Sequence, residues 1–414
     1  MKKLMFLVLL AGIMSCKNKP EVADNNIKAD VAFLADDKLE GRQTGTEGEI
    51  LAAKYLTKRF KSIGLEPKGT EEFLQPFSFK PKTDPHKTVE FTTNADSTIT
   101  GNNVIGFIDN NAKTTIVIGA HYDHLGFGGE GSLYREKEKA VHNGADDNAS
   151  GVAVMLNLAS RLKIKNSQAE IKDKNNYLFM AFSGEEMGLL GSNYFSKNPT
   201  IGAESINYMI NMDMVGRMKV DSTLAVYGTG TSPMFKQTLK SNNDKFKLIE
   251  NESGVGPSDH TSFYLIDIPV LHFFTGQHED YHKPGDDSEK LNYDGMNLIS
   301  DYIYNIISDL DDNGELAFRK TKNESDETPR FKVGLGVVPD YLFDGKGMRI
   351  DGTREETPAY TAGLQKGDIV VKLGDSTVID MMSYMRALSV FDNGDEAEIT
   401  IKRGEETIET RVKF

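Results

Sequence analysis

Five short segments of this chain concentrate side chains that bind metal ions or move protons. They are His121-Tyr122-Asp123, the run GADDNASG at 144–151, Ser183-Gly184-Glu185-Glu186, Asp213, and Tyr281-His282. Imidazole mixed with carboxylate, without thiolate, suits hard to borderline divalent ions: zinc first, with manganese or cobalt able to substitute. A single catalytic zinc keeps about three protein ligands and an open position, so these segments offer too many donors for one ion. Two ions sharing one carboxylate, roughly 3.5–4 Å apart, fit the supply.

Such residues converge only if the elements before them carry them to one place. Apolar runs rich in β-branched and aromatic residues occupy 115–120, 177–182, 208–212 and 268–274, and the first three lead directly into the polar segments. Helical stretches lie between some of them, notably 152–162, and 296–310 reads as a closing helix. That alternation predicts an α/β fold, a mostly parallel central sheet flanked by helices, whose ligand crevice lies beyond the carboxyl ends of the strands. Thr46 and Glu49 have capping-box spacing, Ala53, Leu56, Phe60 and Ile63 recur at helical intervals, and Gly64 supplies a stop. The stretch 73–109 alternates loosely among turn residues and reads as edge strands and loops.

The chain has 414 residues, more than one core usually serves, so two folded units are expected. Composition turns strongly polar at 311–330, and 331–414 regains short strands between Gly and Asp turns, with one helical segment at 382–391. The expected layout is a first domain at 27–312, a linker at 313–330 and a small β-rich domain at 331–414. A net charge of −14 argues against nucleic acid as a partner and against electrostatic attraction to anionic lipid. Lys2 and Lys3 precede an apolar run at 4–14 that is too short to span a bilayer. Cys16 is the only cysteine, which rules out an internal disulfide, and Ile13-Met14-Ser15-Cys16 resembles a bacterial lipoprotein box. Residues 1–16 therefore read as a signal peptide ending in a lipidated Cys16, and 17–26 as a tether. The expected location is the bacterial cell envelope, at the outer membrane, with attachment through lipid.

Taken in order, His121-Tyr122-Asp123, GADDNASG, FSGEEMGLLGS at 182–192, INMDMVG at 210–216 and Tyr281-His282 resemble the motifs of the co-catalytic zinc aminopeptidase family. That family also includes glutamate carboxypeptidases and, more distantly, glutaminyl cyclases. Leu39-Glu40-Gly41-Arg42 and Thr44-Gly45-Thr46 resemble the start of its domain. The resemblance implies two zinc ions, His121 and Asp213 holding one, Glu186 and His282 the other, with Asp147 rather than its neighbour Asp146 bridging them. It implies Glu185 as general base, Asp123 fixing the tautomer of His121, and Tyr281 as a hydroxyl donor to the developing oxyanion. The implied activity is exopeptidase cleavage of peptides, as an aminopeptidase. Alternatives are a carboxypeptidase of the same fold, a one-zinc cyclase, and a peptide-binding lipoprotein without catalysis. His124 and His142 flank ligands and read as structural hydrogen-bonding groups, while His272 and His278 receive no role. Ser258-Asp259-His260 are too close in sequence to converge as a triad, so Asp259 and His260 are expected in a substrate-pocket wall. Gly334-Leu335-Gly336-Val337 and the stretch 358–368 resemble a bacterial PDZ domain, which implies that the loop carrying Leu335 and Gly336 receives a peptide C-terminus.

Overall fold

The structure, a computed structural model, describes residues 26–81, 91–92, 98–129, 131–134, 136–168, 173–321, 332–340, 343, 345–354 and 357–414. The expected signal peptide, Cys16 and nearly all of the tether lie outside these residues. Among the described residues no helix is long and apolar enough to cross a membrane.

The first unit opens with α1 (Ile27–Leu34) and α2 (Glu47–Ile63), then β1 (Glu66–Pro67), β2 (Leu74–Phe79), β3 (Ile99–Ile108) and β4 (Thr114–His121). It continues through α3 (Gly151–Gln168), β5 (Asn175–Phe182), α4 (Leu190–Lys197), β6 (Ile206–Met212), β7 (Thr223–Tyr227) and α5 (Phe235–Ser241). β8 (Lys247–Glu250), α6 (His260–Tyr264), β9 (Val270–Phe274) and α7 (Tyr293–Leu310) complete it. The nine strands form one sheet in the order β1-β3-β5-β4-β6-β9-β7-β8, with β2 also on β3.

The central strands β5, β4, β6 and β9 are mutually parallel, as the alternation predicted. Outside them β3 runs antiparallel to β5, and β7 antiparallel to β9. β3 is thus an interior strand, not an edge: β1 and β2 pair along its far side. Side chains alternate across the sheet as the two-residue strand period demands. Ile116, Ile118 and Ala120 of β4 join the core built with α1, α2, α3 and α7, whereas Val117 joins the opposite core with Phe195 of α4 and Phe263 of α6. Because the strands are covered on both faces, they are almost continuously buried.

Thr46 caps α2 by accepting from the amide of Glu49, and Gly64 ends it in the left-handed conformation at φ 85°. Glu49 departs from a simple capping box. Its buried carboxylate accepts from the Gly45 and Asn102 amides and from the hydroxyls of Tyr122 and Ser183, so the start of α2 is knotted to the ends of β4 and β5.

After α7 the chain returns over the first unit. Leu316 donates its amide to Asn207, Arg319 to the carbonyl of Thr231, and Phe318 packs on Tyr264. Residues 316–321 therefore belong to the first unit, although composition placed them in the linker. The second unit has a core of its own. It comprises β10 (Val337–Pro339), β11 (Met348–Thr353), α8 (Pro358–Thr361), β12 (Ile369–Leu373), β13 (Ser376–Thr377), α9 (Met381–Leu388), β14 (Glu396–Arg403) and β15 (Glu406–Lys413). Its sheet is antiparallel, in the order β10-β11-β12-β14-β15 with β13 on β12.

Candidate metal centre

Parallel strands in register deliver their carboxyl ends to one rim. His121 stands opposite Phe182 across β4 and β5, and Met212 opposite Phe273 across β6 and β9. Glu185 and Glu186 leave β5 at that rim, Asp213 leaves β6, Asp147 comes from the turn before α3, and His282 from the loop after β9. Nε2 of His121 lies 3.3 Å from Oδ1 of Asp147 and 3.2 Å from Oδ1 of Asp213. Nε2 of His282 lies 3.1 Å from Oδ2 of Asp147 and 3.3 Å from Oε2 of Glu186. Donor atoms about 2.0–2.1 Å from a tetrahedral zinc stand about 3.4 Å apart, so both sets have the spacing of atoms that share a cation. The two oxygens of Asp147 face different sets, as a bridging carboxylate requires. Nδ1 of His121 donates to the carbonyl of Asp123 at 3.2 Å, and Nδ1 of His282 to that of Gly131 at 2.9 Å. Both rings are thereby left with Nε2 as the lone-pair nitrogen.

The loops are held by buried polar groups. The carboxylate of Asp123, 3.7 Å from Nδ1 of His121, accepts from the amides of Glu185 and Glu186 and from Thr44. Asp123 thus fixes the His121 ring chiefly through its carbonyl, while its side chain sets the turn that carries the two glutamates. Asp146 accepts from the Gly216 amide at 2.6 Å and faces His278 at 3.2 Å. Asp286, a residue the motif reading passed over, accepts from the amides of both Asp146 and Asp147. Asn148 ties the same turn to Met212, Met214 and Gly151. Ser258 donates to Oδ2 of Asp213 at 2.7 Å. Arg42 is wholly buried and donates to the carbonyls of Leu34, Tyr122, Asn143 and Gly144, joining α1 to the segments on either side of the ligands.

Carboxylates dominate the electrostatics. Burial pushes the carboxyl of Glu185 well up, and Asp213, Glu186 and Asp259 push it further, against the pull of His121. Asp259 is raised to about 7, first by burial. Burial lowers His282, but Glu186 and Asp147 outweigh this and bring it to about 9. Carboxylates that outnumber the cationic groups beside them suit a site that divalent ions neutralise. Oε1 of Glu186, buried and without a hydrogen-bond partner, fits the same reading.

Other expected residues fall differently. Asp259 and His260 are fully buried behind the pocket wall, where His260 stacks on His272 with ring centroids 4.5 Å apart. The cleft beside the centre is lined instead by Asp213, Met214, Ser258, His272, Phe274 and Tyr281. The ring of Tyr281 stacks on His282 at 3.8 Å. His142 bonds Ser132 and Ala140, a structural role. His124 makes no hydrogen bond and points at Glu186. Leu335 is a core residue of the second unit, and its carbonyl accepts from the Ala359 amide. Gly336 is obligatory at φ 76°, because a Cβ there would stand 2.3 Å from that of Thr357.

Comparisons with known proteins agree with this geometry. Residues 103–307 match the family model described as peptidase family M28, and residues 319–414 match a PDZ domain. A probable leucine aminopeptidase of Trichophyton verrucosum is 30% identical over 178 residues, 40% of this chain and 44% of that relative. The match thus spans less than half of the relative's length. Among solved structures, a zinc aminopeptidase from Bacillus subtilis aligns with TM-score 0.53 at 16% identity, over 72% of this chain and 97% of its own. A glutaminyl cyclase from Porphyromonas gingivalis aligns with TM-score 0.53 at 18% identity, over 70% of this chain and 99% of its own. These likenesses establish the zinc exopeptidase fold.

Proposed function

We propose that this chain, whose residues 103–307 match peptidase family M28 and whose residues 319–414 match a PDZ domain, is a zinc-dependent aminopeptidase. The observation that carries the proposal is the position of Asp147, whose two oxygens each face a separate histidine–carboxylate set beside the proton-avid Glu185. His121, Asp213 and Asp147 would hold one zinc ion, and Glu186, His282 and Asp147 the other. Bound there, the pair would acidify the attacking water and polarise the scissile carbonyl. Glu185 takes the proton from that water on its carboxylate and returns it to the departing amine nitrogen, a task suited to a carboxyl raised above its ordinary range. Tyr281, on the cleft wall beside His282, offers its hydroxyl to the developing oxyanion.

Cleavage of a mixed peptide library by zinc-replete protein tests this. Release of single residues from free amino ends, abolished by N-acetylation and by chelation, is the expected result. Release from the carboxyl end, or cyclisation of N-terminal glutamine, would overturn it.

Two finer readings belong with the proposal. The PDZ domain would present a peptide C-terminus to the loop around Gly336, tested by titrating free-acid and amidated peptides against the full chain. Cys16 would carry lipid in the cell envelope, tested by labelling with a palmitate analogue in the wild type and in Cys16→Ser. Equal binding of amidated peptides, or equal labelling of the variant, would reject the respective reading.

A further inference from the structure

We propose that His124 is a direct ligand of the ion on the Glu186–His282 side, giving that half of the centre four protein groups while the His121–Asp213 half has three. The inference rests on the two-ion reading above and adds a residue to it.

His124 follows the His121-Tyr122-Asp123 motif and is 1% exposed. Its Nδ1 lies 2.8 Å from Oε1 of Glu186 and 3.9 Å from Oδ2 of Asp147. Neither Nδ1 nor Oε1 has a hydrogen-bond partner, so the 2.8 Å approach is not a hydrogen bond. Two lone-pair atoms brought that close inside a protein, with no proton directed between them, repel unless a cation lies beside both. Donors about 2.0–2.1 Å from one ion stand roughly 2.9–3.4 Å apart as the angle between them opens from a right angle to tetrahedral, so this approach lies at the short end of the spacing of two atoms that share a cation. A second ring already faces the same carboxylates: Nε2 of His282 is 3.3 Å from Oε2 of Glu186 and 3.1 Å from Oδ2 of Asp147. The centroids of the two imidazoles are 5.9 Å apart, with the rings tilted 69°, so both can face Glu186 without contact.

Gly144 makes room for this ring. It sits at φ 56°, and a Cβ there would come within 2.5 Å of Cγ and Cδ2 of His124. The first glycine of GADDNASG therefore serves the imidazole opposite as well as its own backbone.

The consequence is an unequal pair. Zinc sites closed by four protein groups are typically structural, whereas sites with three keep a position for water or substrate. The His121–Asp213 side would then be the open, more exchangeable half, and the other side a retained anchor.

The test is metal binding by the full-length protein, with zinc measured by elemental analysis and competition against a chelator, and cobalt followed by its visible spectrum. Wild type should hold two ions. His124→Ala should keep one near wild-type affinity and bind the second at least about 10-fold more weakly, with the cobalt absorption changed in band position and intensity. His124→Asn, which places an oxygen near the position of Nδ1, should recover part of the affinity and guards against misfolding of the alanine variant. Two ions at wild-type affinity and an unchanged cobalt spectrum in both variants would overturn the inference while leaving the two-ion centre intact. Fewer than two ions in wild type would overturn the centre itself, and His124's place with it.

Discussion

Replacing Glu185 with Gln should move activity and stability in opposite directions. The amide keeps the shape of the side chain but cannot take a proton from water, and removing a positioned general base costs about 10²–10⁴ in turnover. At about 1.36 kcal/mol per decade this is roughly 3–5 kcal/mol of transition-state stabilisation. In the metal-free protein the same change removes a buried negative charge that faces Asp213, Glu186 and Asp259. Because its folded carboxyl is held above the ordinary value, an ionised Glu185 costs stability at neutral pH, and that cost disappears as pH falls below the unfolded value near 4.5. Relief of such repulsion is commonly worth about 0.5–2 kcal/mol. For a domain of this size that is a rise in Tm of roughly 1–8 °C, present at pH 7–8 and absent at pH 4. The assays are steady-state hydrolysis of an aminoacyl anilide, zinc content, and thermal melts in chelator at both pH values. Turnover within about threefold of wild type would refute Glu185 as the base. A lower Tm at pH 7 together with loss of zinc would make it a structural or liganding residue instead.

Other substitutions probe the frame. Asp147→Ala should abolish paired zinc binding in elemental analysis, whereas Asp146→Ala, which loses only the Gly216 and His278 contacts, should retain both ions with weakened affinity. Arg42→Met leaves four buried backbone carbonyls without their donor and should lower stability by about 3–5 kcal/mol in denaturant unfolding. In metal-free protein the raised His282, at about 9, contributes stability that is full below pH 6.5 and lost as pH rises through 9; zinc should flatten that slope in pH-dependent melts.

The strands that lead into chemistry were legible because two local signals coincide there, an apolar run and the polar residue that ends it. β4, β5, β6 and β9 all have the first, and their parallel register turns it into a shared rim. β7 and β8 carry weaker runs without functional residues at their ends and were missed. The interior position of β3 was hidden because partners on both sides, not its own alternation, decide whether a strand is an edge. Ligand candidates stood out by type and order, but their supports did not. Asp286 reaches back 139 residues to the Asp147 amide, and Ser258 reaches 45 residues to Asp213. No spacing rule announces contacts of that kind. Glu49 was visible as a capping residue, yet its buried hub role depends on Tyr122 and Ser183 arriving from two other strands.

Arg42 sets a limit on how far the chain can be trimmed. A fragment cut to residues 103–307 would contain every proposed ligand and the proposed base, and on paper would be a whole catalyst. It would lack the guanidinium that spans Tyr122, Asn143 and Gly144, and the glutamate at the head of α2 that gathers Tyr122 and Ser183. The opening stretch of the folded chain, residues 27–49, acts as a clasp on the far segments, so an expression boundary drawn at residue 103 would yield the donors without the shape that makes them a centre.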